Sequence, residues 1–480
     1  MSKMLFEKSV EGRKGVSLPA MDVPAVDMPA NLKRNKLAEI GEYSELDVVR
    51  HYTNLSLKNF SVDTHFYPLG SCTMKYNPKV CETVARFDGL AAIHPMMPVS
   101  GGLDMCQGAL ELIYELENHL SEVTGMSATT LQPLAGAHGE MLGIMLIASY
   151  HRAKGNKKKY VIVPDSSHGT NPATASMMGY EIITVKTADY GDMDLDEFKE
   201  KMNDEVAAVM MTNPNTLGVF NPYIKEISEV AHAHDAMLYY DGANLNAILG
   251  KVRPGDLGFD VVHVNLHKTY ATPHGSGGPG AGPVGCSAKL EPFLPQPRVV
   301  KTGDKFSLNY DKENPRITSY FGNYGVLVKA YTYALMMGSD GLKDVAEKAV
   351  LNANYIMQKL KPYYDLPYDK TCMHECVFSA SRQVEKGVHA LDIAKGLIDR
   401  GFHPPTVYFP LIVPEAMMIE PTETESKQTM DEFIDAMIEI AGIVDTDPDS
   451  LHHAPVTRPV TRLDETQAAR QVNVRYQKDA

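Results

Sequence analysis

Between Gln107 and Tyr333 the chain repeats one unit: a short apolar run, a polar cluster, then a helical stretch. The runs read VIVP at 161–164, EIITV at 181–185, VAAVMMT at 206–212, AMLYYD at 236–241 and DVVHVN at 260–265. Each is too short for a helix and almost continuously apolar, the pattern of a strand buried on both faces. Strands joined through helical crossovers run parallel, and such crossovers are right-handed. The expected fold class is therefore α/β, a doubly wound and mainly parallel sheet.

The flanks of this unit differ. Residues 1–95 are punctuated by prolines and weakly periodic: SLPAMDVPAVDMPA reads as an extended arm, and LAEIGEYSELDVVRHYTNLS as a helix and turn. An arm that cannot bury its own apolar residues is suited to wrapping a partner. An amphipathic helix ending at Gly125 opens the large domain, 96–340. A long helix from Ser339 then leads into a smaller α+β domain, 341–451, with a strand CVFSA, a helix HALDIAKGLIDRG, a strand-like run TVYFPLIV and a last helix KQTMDEFIDAMIEIAGIV. A polar tail, 452–480, follows.

In sheets of this kind ligands bind beyond the carboxyl ends of the strands, and the polar residues collect there. The run 261–264 ends in Asn265, His267 and Lys268, followed by glycines at 275, 277, 278, 280, 282 and 285 that let backbone approach a ligand. A lysine held at a strand end suits Schiff-base chemistry, which needs an amine aimed at a carbonyl. The preceding strand ends in Asp241, with Ala243 and Asn244 just beyond. An acid and a lysine on successive strand ends can hold pyridoxal 5'-phosphate by its two ends: the carboxylate keeps the ring nitrogen protonated and the lysine bonds to the aldehyde. Three further places fit the same ligand. The turn Ala135, Gly136, Ala137 opens an apolar helix whose N-terminus would cradle a phosphate. His168, after the run 161–164, would stack on the ring face opposite Ala243. Asn213, after the run 206–212, or Asn244 would donate to the phenolate oxygen, and the sequence does not choose between them.

These blocks, with VDTHFYPLGSCTMKYNP and YFPLIVPEAMMIEPTETE, resemble the glycine cleavage system P-protein, the glycine decarboxylase, and in particular its second, lysine-bearing subunit. The resemblance runs from about Phe6 to Arg470. It implies a fold type I pyridoxal-phosphate enzyme with Lys268, His168 and Asp241 catalytic, and Asn265 and His267 within reach of the phosphate. It also implies decarboxylation of glycine with transfer of the aminomethyl group to the lipoyl arm of a separate H-protein, and a homologous first subunit completing an α2β2 tetramer. An aminotransferase or a simple amino-acid decarboxylase would share the cofactor contacts. A catalytically silent half is disfavoured by the intact His267-Lys268-Thr269. Two departures from the family pattern stand out: Asn314 to Asn323 replaces a Ser-Ile-Gly-Arg-like stretch, so no carboxylate clamp is assigned, and Ser276 stands where glycine is usual.

Composition narrows the partners. Lys and Arg total 46 against 60 Asp and Glu, a net charge of −14 that argues against nucleic acid and anionic membranes. Six cysteines, no secretory pattern at the N-terminus and no run of membrane-spanning length point to the cytoplasm. Cys72 and Lys75 sit in a compact loop that reads as a packed turn or as part of the site's rim. Cys372, His374 and Cys376 have metal-like spacing but should alternate along a strand, so no zinc site is expected. Ile419 to Ser426 reads as a helix start, with Glu425 and Ser426 at the cap.

Overall fold

The computed structural model describes residues 3–36, 38, 40–274, 280–310, 314 and 316–475. Its centre is a seven-stranded sheet of order β1-β7-β6-β5-β4-β2-β3, made of β1 (Ala128–Thr130), β2 (Tyr160–Pro164), β3 (Glu181–Val185), β4 (Val206–Met211), β5 (Met237–Gly242), β6 (Val261–Val264) and β7 (Val284–Cys286). The five strands read from the sequence are mutually parallel, β6-β5-β4-β2-β3. The short β7 joins them antiparallel to both β6 and β1, which makes the sheet mainly rather than wholly parallel.

Alternate residues of these strands feed two cores, as the pleat requires. Val161, Val163, Met210, Tyr239 and Val261 pack under the helix Gly136–Lys154. Ile162, Val209, Leu238, Tyr240 and Val262 face the opposite way, onto the helices Gln107–Thr124 and Ile224–Ala233. Gly125 ends the first of those two helices with φ at 70°, where only glycine is unstrained. The helix Gly136–Lys154 lies so close to the sheet that a Cβ on Gly143 would meet the Tyr239 ring at 2.3 Å. The small residues of that helix thus set its approach, and its N-terminus arrives at the carboxyl ends of β5 and β6.

A hairpin follows the sheet, β8 (Arg298–Thr302) with β9 (Lys305–Asn309). The helix Tyr324–Leu360 is broken at Gly338, whose φ of 60° and ψ of −175° are not helical. The half beyond the break shares a core with a three-stranded antiparallel sheet of β10 (Cys376–Ser379), β11 (Thr406–Val407) and β12 (Ala416–Ile419) and with the helices Ala390–Asp399 and Lys427–Thr446. Two expectations change here. The run TVYFPLIV is a strand only over Thr406–Val407, because Tyr408 takes a φ of 59° that turns the chain. The central strand of that sheet is instead β12, four residues not singled out in the sequence.

Val16, Leu18, Met21, Val23 and Val26 are all at least 63% exposed, and the helix Glu45–Ser56 buries none of its residues. Among the described residues no helix is long and apolar enough to cross a membrane.

Candidate functional site

A cavity of about 250 Å³ lies beyond the carboxyl ends of β2, β4, β5 and β6. Its walls bring together Gly136, Ala137, His168, Asp241, Ala243, Asn244, Asn265 and Lys268 from the sequence-derived set. Ala135, Asn213 and His267 stand just outside the wall.

Lys268 is half-buried where the chain leaves β6, and its Nζ makes no hydrogen bond or ion pair among the described residues. Its position is set by the backbone: the Lys268 N–H donates to the Asn265 carbonyl at 3.1 Å, and the Asn265 N–H to the Ala243 carbonyl at 3.4 Å. Most of the glycine-dense loop that follows, residues 275–279 with Ser276 among them, lies outside the described residues.

Asp241 pairs in register with His263 across β5 and β6. It is 5% exposed and accepts hydrogen bonds from Asn171 Nδ2 at 2.9 Å and from the Ala243 N–H at 3.1 Å. Burial would raise its pKa, but the nearby positive charge of Lys268, the Asn171 amide and the Ala243 N–H, with a further pull from His263 whenever that ring is protonated, outweigh it and hold the carboxyl below the usual range. Burial keeps His263 from protonating in spite of Asp241, so the 3.5 Å approach of His263 Nε2 sets a neutral ring beside a carboxylate rather than an ion pair. The other nitrogen of that ring, Nδ1, lies 2.6 Å from the Tyr239 hydroxyl. Behind Asp241 sits Glu140, 4% exposed, which accepts from Thr170 Oγ1 at 2.8 Å and Asn171 Nδ2 at 3.0 Å. Burial and then the Asp241 charge push Glu140 up. Asn171 therefore bridges two acids, one held ionised and one pushed toward neutrality.

The helix Gly136–Lys154 presents its start to the same cavity. Ala135 provides no side-chain cap, and among the described residues the first-turn amides of Gly136, Ala137 and His138 have no hydrogen-bond acceptor. Asn265, 6% exposed with Oδ1 unpaired, faces Gly136 so closely that a Cβ there would come within 2.8 Å of its side chain. His267 instead packs edge-on to His274, ring centroids 4.8 Å apart. Burial, then His274 and Lys268, push its imidazole down to about 3, so it is neutral.

His168 is exposed at the cavity mouth. Its Nδ1 is 2.7 Å from Thr170 Oγ1, and its ring meets Phe409 edge-on at 5.7 Å. The two asparagines differ. Asn244 donates both amide hydrogens, to Thr73 Oγ1 at 2.5 Å and Glu420 Oε1 at 2.8 Å. Asn213 accepts from the Asn221 N–H at 2.8 Å and keeps a buried Nδ2 with no partner. Arg316 is exposed and donates to the Ser319 carbonyl at 3.1 Å, far in role from any carboxylate clamp, while Pro315 lies outside the described residues.

Several wall residues carried no role in the sequence reading. Ser71, His374 and Glu375 come from stretches remote from the sheet. Residues 372–375 do not alternate on a strand as expected, since β10 begins only at Cys376, and the bend before it turns His374 and Glu375 into the cavity. Cys72 is partly buried behind this wall. Lys75 is fully buried and pairs with Glu423 at 2.6 Å. In Ile419 to Ser426, Ser426 does cap its helix, accepting from the Thr429 N–H at 3.1 Å, but Glu420 and Glu423 point inward. His263 did have a signal in the sequence, as the lone ionisable group in an otherwise apolar strand, and Glu140 had a weaker one, as an acid just ahead of the apolar stretch Met141–Tyr150.

Comparisons with known proteins agree on the kind of chain this is. A family model described as the glycine cleavage system P-protein matches residues 19–307, and one described as the glycine dehydrogenase C-terminal domain matches residues 345–455. A probable glycine dehydrogenase (decarboxylating) subunit 2 from Bacillus velezensis is 55% identical over 99% of this chain and 97% of its own length. The corresponding protein of Bacillus cytotoxicus is 56% identical over the same shares. Among solved structures, an inhibitor-bound glycine decarboxylase (P-protein) superposes with a TM-score of 0.72 at 20% identity, covering 86% of this chain and 93% of that one. A Lactobacillus brevis glutamate decarboxylase gives 0.66 at 13%, covering 88% and 96%.

Proposed function

The chain belongs to the glycine cleavage system P-protein family, and from that premise we propose that it is the lysine-bearing second subunit of a glycine decarboxylase that works with pyridoxal 5'-phosphate. The observation that carries this reading is the pair at neighbouring strand ends: Lys268, whose Nζ has no hydrogen bond or ion pair among the described residues, and Asp241, buried and held ionised. The cavity beside them suits a flat phosphorylated ring: among the described residues the amides at a helix start have no acceptor, and Lys268 is the one lysine or arginine on its walls.

When bound, pyridoxal phosphate supplies an electron sink for the pair left as a bond to the α-carbon breaks. The chain supplies the rest. Lys268 offers the amine for covalent attachment. Asp241 holds a proton on the ring nitrogen, because a buried carboxylate with two hydrogen-bond donors is poised for a cationic partner. The first-turn amides of Gly136 and Ala137, with the Asn265 side chain facing them, would hold the phosphate, while His267, turned to His274, would stand behind them. His168 and Ala243, both on the cavity wall, would bound the two faces of the ring. For the phenolate oxygen the unpaired Nδ2 of Asn213 favours it over Asn244, whose amide is committed to Thr73 and Glu420.

In the proposed reaction glycine loses its carboxyl carbon as CO2 and its aminomethyl carbon bonds to one sulfur of a lipoyl disulfide. The S–S bond breaks and the second sulfur leaves as a thiol after taking up a proton. The disulfide belongs to a lipoylated H-protein, and the name of the Bacillus relatives, subunit 2, supports a homologous first subunit and an α2β2 assembly. The exposed apolar arm around residues 16–26 supports a wrapped partner. The break at Gly338 supports dividing a large domain, 96–340, from a smaller one, 341–451, and six unpaired cysteines suit the cytoplasm. Glycine–bicarbonate exchange with first subunit and H-protein tests the reading, and full exchange without the first subunit would overturn the tetramer. Lys268→Ala should leave no borohydride-fixed cofactor on the chain; recovery of such an adduct would remove Lys268 from its role.

A further inference from the structure

Glu375 on the cavity wall, and Glu420 packed directly behind it, are two acids that this reading leaves unused. Glu375, just before β10, is 3% exposed, and Glu420, just after β12, is fully buried. Antiparallel pairing of Cys376 with Ile419 brings them together, and their carboxylate oxygens lie with a His374 ring nitrogen within 4.8 Å of one another. Two carboxyls so close and so dry do not both ionise; the pair keeps one proton.

The hydrogen bonds are unequal. Glu420 accepts three: from Thr73 Oγ1 at 2.6 Å, Asn244 Nδ2 at 2.8 Å and the Thr73 N–H at 3.1 Å. Glu375 accepts one, from the Ser71 N–H at 2.9 Å, and its other oxygen stands 3.8 Å from His374 Nε2, beyond hydrogen-bond range. Negative charge settles where the donors are. His374, 4% exposed and on the cavity wall, has no hydrogen bond through either ring nitrogen among the described residues. Burial, then Lys268, push it down to about 3, so it too is neutral. The other titratable groups acting on the pair are Lys268, Cys72 and Cys372. Among the described residues no arginine lines the cavity.

We propose that Glu420 is the carboxylate and Glu375 the protonated acid of a pair sharing one proton, and that the Glu375 O–H and the His374 ring form a neutral wall that receives the carboxylate of the bound amino acid. The proposal rests on the function proposed above and names its carboxylate subsite. Burial and then the Glu420 charge, which push Glu375 well above the ordinary range, agree with the assignment. The chemistry favours it as well. An arginine would bind the carboxylate most tightly before the C–C bond breaks, and that binding would be lost as neutral CO2 forms, whereas only interactions retained in the transition state speed the step. A neutral donor orients the group at less ground-state cost.

The holoprotein, assembled with its first subunit and H-protein, tests this through E375Q, E375A, E420Q and the E375Q/E420Q double variant. Glutamine copies the shape and charge of a protonated acid, so E375Q should fold with a near wild-type thermal midpoint, whereas E420Q should not. The pH midpoint of the cofactor's visible absorbance reports the charge near Lys268. It should move by no more than roughly 0.3 unit in E375Q, and fall by about one unit or more in the double variant, which removes an anion. KM for glycine should rise from wild type through E375Q to E375A, by roughly 10- to 100-fold in E375A, with kcat changing less. An E375Q protein that fails to fold, or whose midpoint falls as far as the double variant's, would show Glu375 ionised. An unchanged midpoint in the double variant would show that the pair carries no charge, and a wild-type KM in E375A would take Glu375 out of the subsite. If glycine leaves the wild-type absorbance unchanged, the proposed function fails instead, and the midpoints still decide the state of the pair.

Discussion

Lys75 offers a direct measure of how the N-terminal segment is fastened to the rest of the molecule. Its side chain is 1% exposed and its Nζ contacts Glu423 Oε1 at 2.6 Å and the Tyr333 hydroxyl at 3.2 Å, with the Tyr333 ring 5.0 Å away. Burial pulls the ammonium down, but Glu423 and Tyr333 outweigh it and hold it above its ordinary value. Lys75→Met would leave Glu423, 8% exposed, with no cation and only two long contacts, from the Tyr333 hydroxyl and Asn246 Nδ2, each at 3.5 Å. Stranding one member of a buried pair costs about 3–5 kcal/mol, while replacing both members is often close to neutral. Lys75→Met and Glu423→Gln should therefore each destabilise by about that much, and the double variant should recover at least half of it, a coupling of about 2 kcal/mol or more. The chain has no tryptophan, so urea unfolding is best followed by circular dichroism, with hydrogen exchange reading residues 66–78 and 419–426 separately. Single variants costing under about 1 kcal/mol, or losses that simply add, would refute the reasoning.

Asp241→Asn should leave the cofactor bound and lower glycine–bicarbonate exchange by about 10²- to 10³-fold, since a charge pair at an effective dielectric of 20 is worth about 4 kcal/mol and each decade about 1.4 kcal/mol; near-normal exchange would refute its role. Asp192 is fully buried, accepts from the Met193 N–H at 2.6 Å, and has an Oδ2 without a partner. Burial raises it to about 7, so the folded state holds a proton that the unfolded chain releases near pH 4, and stability falls as pH rises between those values. Asp192→Asn should remove up to about 4 kcal/mol of that fall, and parallel stability curves for variant and wild type from pH 4 to 7 would contradict it. Gly136→Ala sets a Cβ 2.8 Å from the Asn265 amide and should weaken cofactor binding by roughly tenfold at little cost in thermal stability; unchanged affinity would refute the proposed phosphate seat.

The five parallel strands were legible because a strand buried on both faces has no polar position to spare, as Val206–Met211 shows with every residue buried. Asp241 and Lys268 were legible for the complementary reason: a charged group at the end of such a run has to face something. β7 was not, since its three residues follow the glycine-dense loop and carry no period, and β12 was hidden by its four-residue length. The second half of the cavity wall was out of reach of any local pattern. Ser71 meets Glu375 across 304 residues and Thr73 meets Glu420 across 347, and no spacing rule spans such gaps. His374 was misplaced for a specific reason: its neighbours Cys372 and Cys376 suggested a strand period, but the strand starts only at Cys376, two residues after His374.

The division of the wall has a chemical consequence. Asp241 and Lys268 sit on the sheet edge, with Glu140 behind, so half of the site belongs to the large core. Glu375 and Glu420 flank strands of the small core and are tied to the large-domain side of the site by hydrogen bonds with Ser71, Thr73 and Asn244. Each half contains one acid richer in donors and one pushed toward neutrality beside it: Asp241, held below the usual range, with Glu140, and Glu420, which burial raises against the opposing pull of Thr73, Asn244 and Lys268, with the less well solvated Glu375. A single protonation pattern therefore places an anion where a ring nitrogen would need one and a neutral acid where a carboxylate would be received. Asn244 stands at the join, one residue from Ala243 and bonded to both Thr73 and Glu420. Any motion that parted the two cores would break those bonds first, exposing Glu420 to water and letting its neighbour ionise. Electrostatic complementarity to an amino acid thus depends on the halves being docked, which couples substrate recognition to the packing between them.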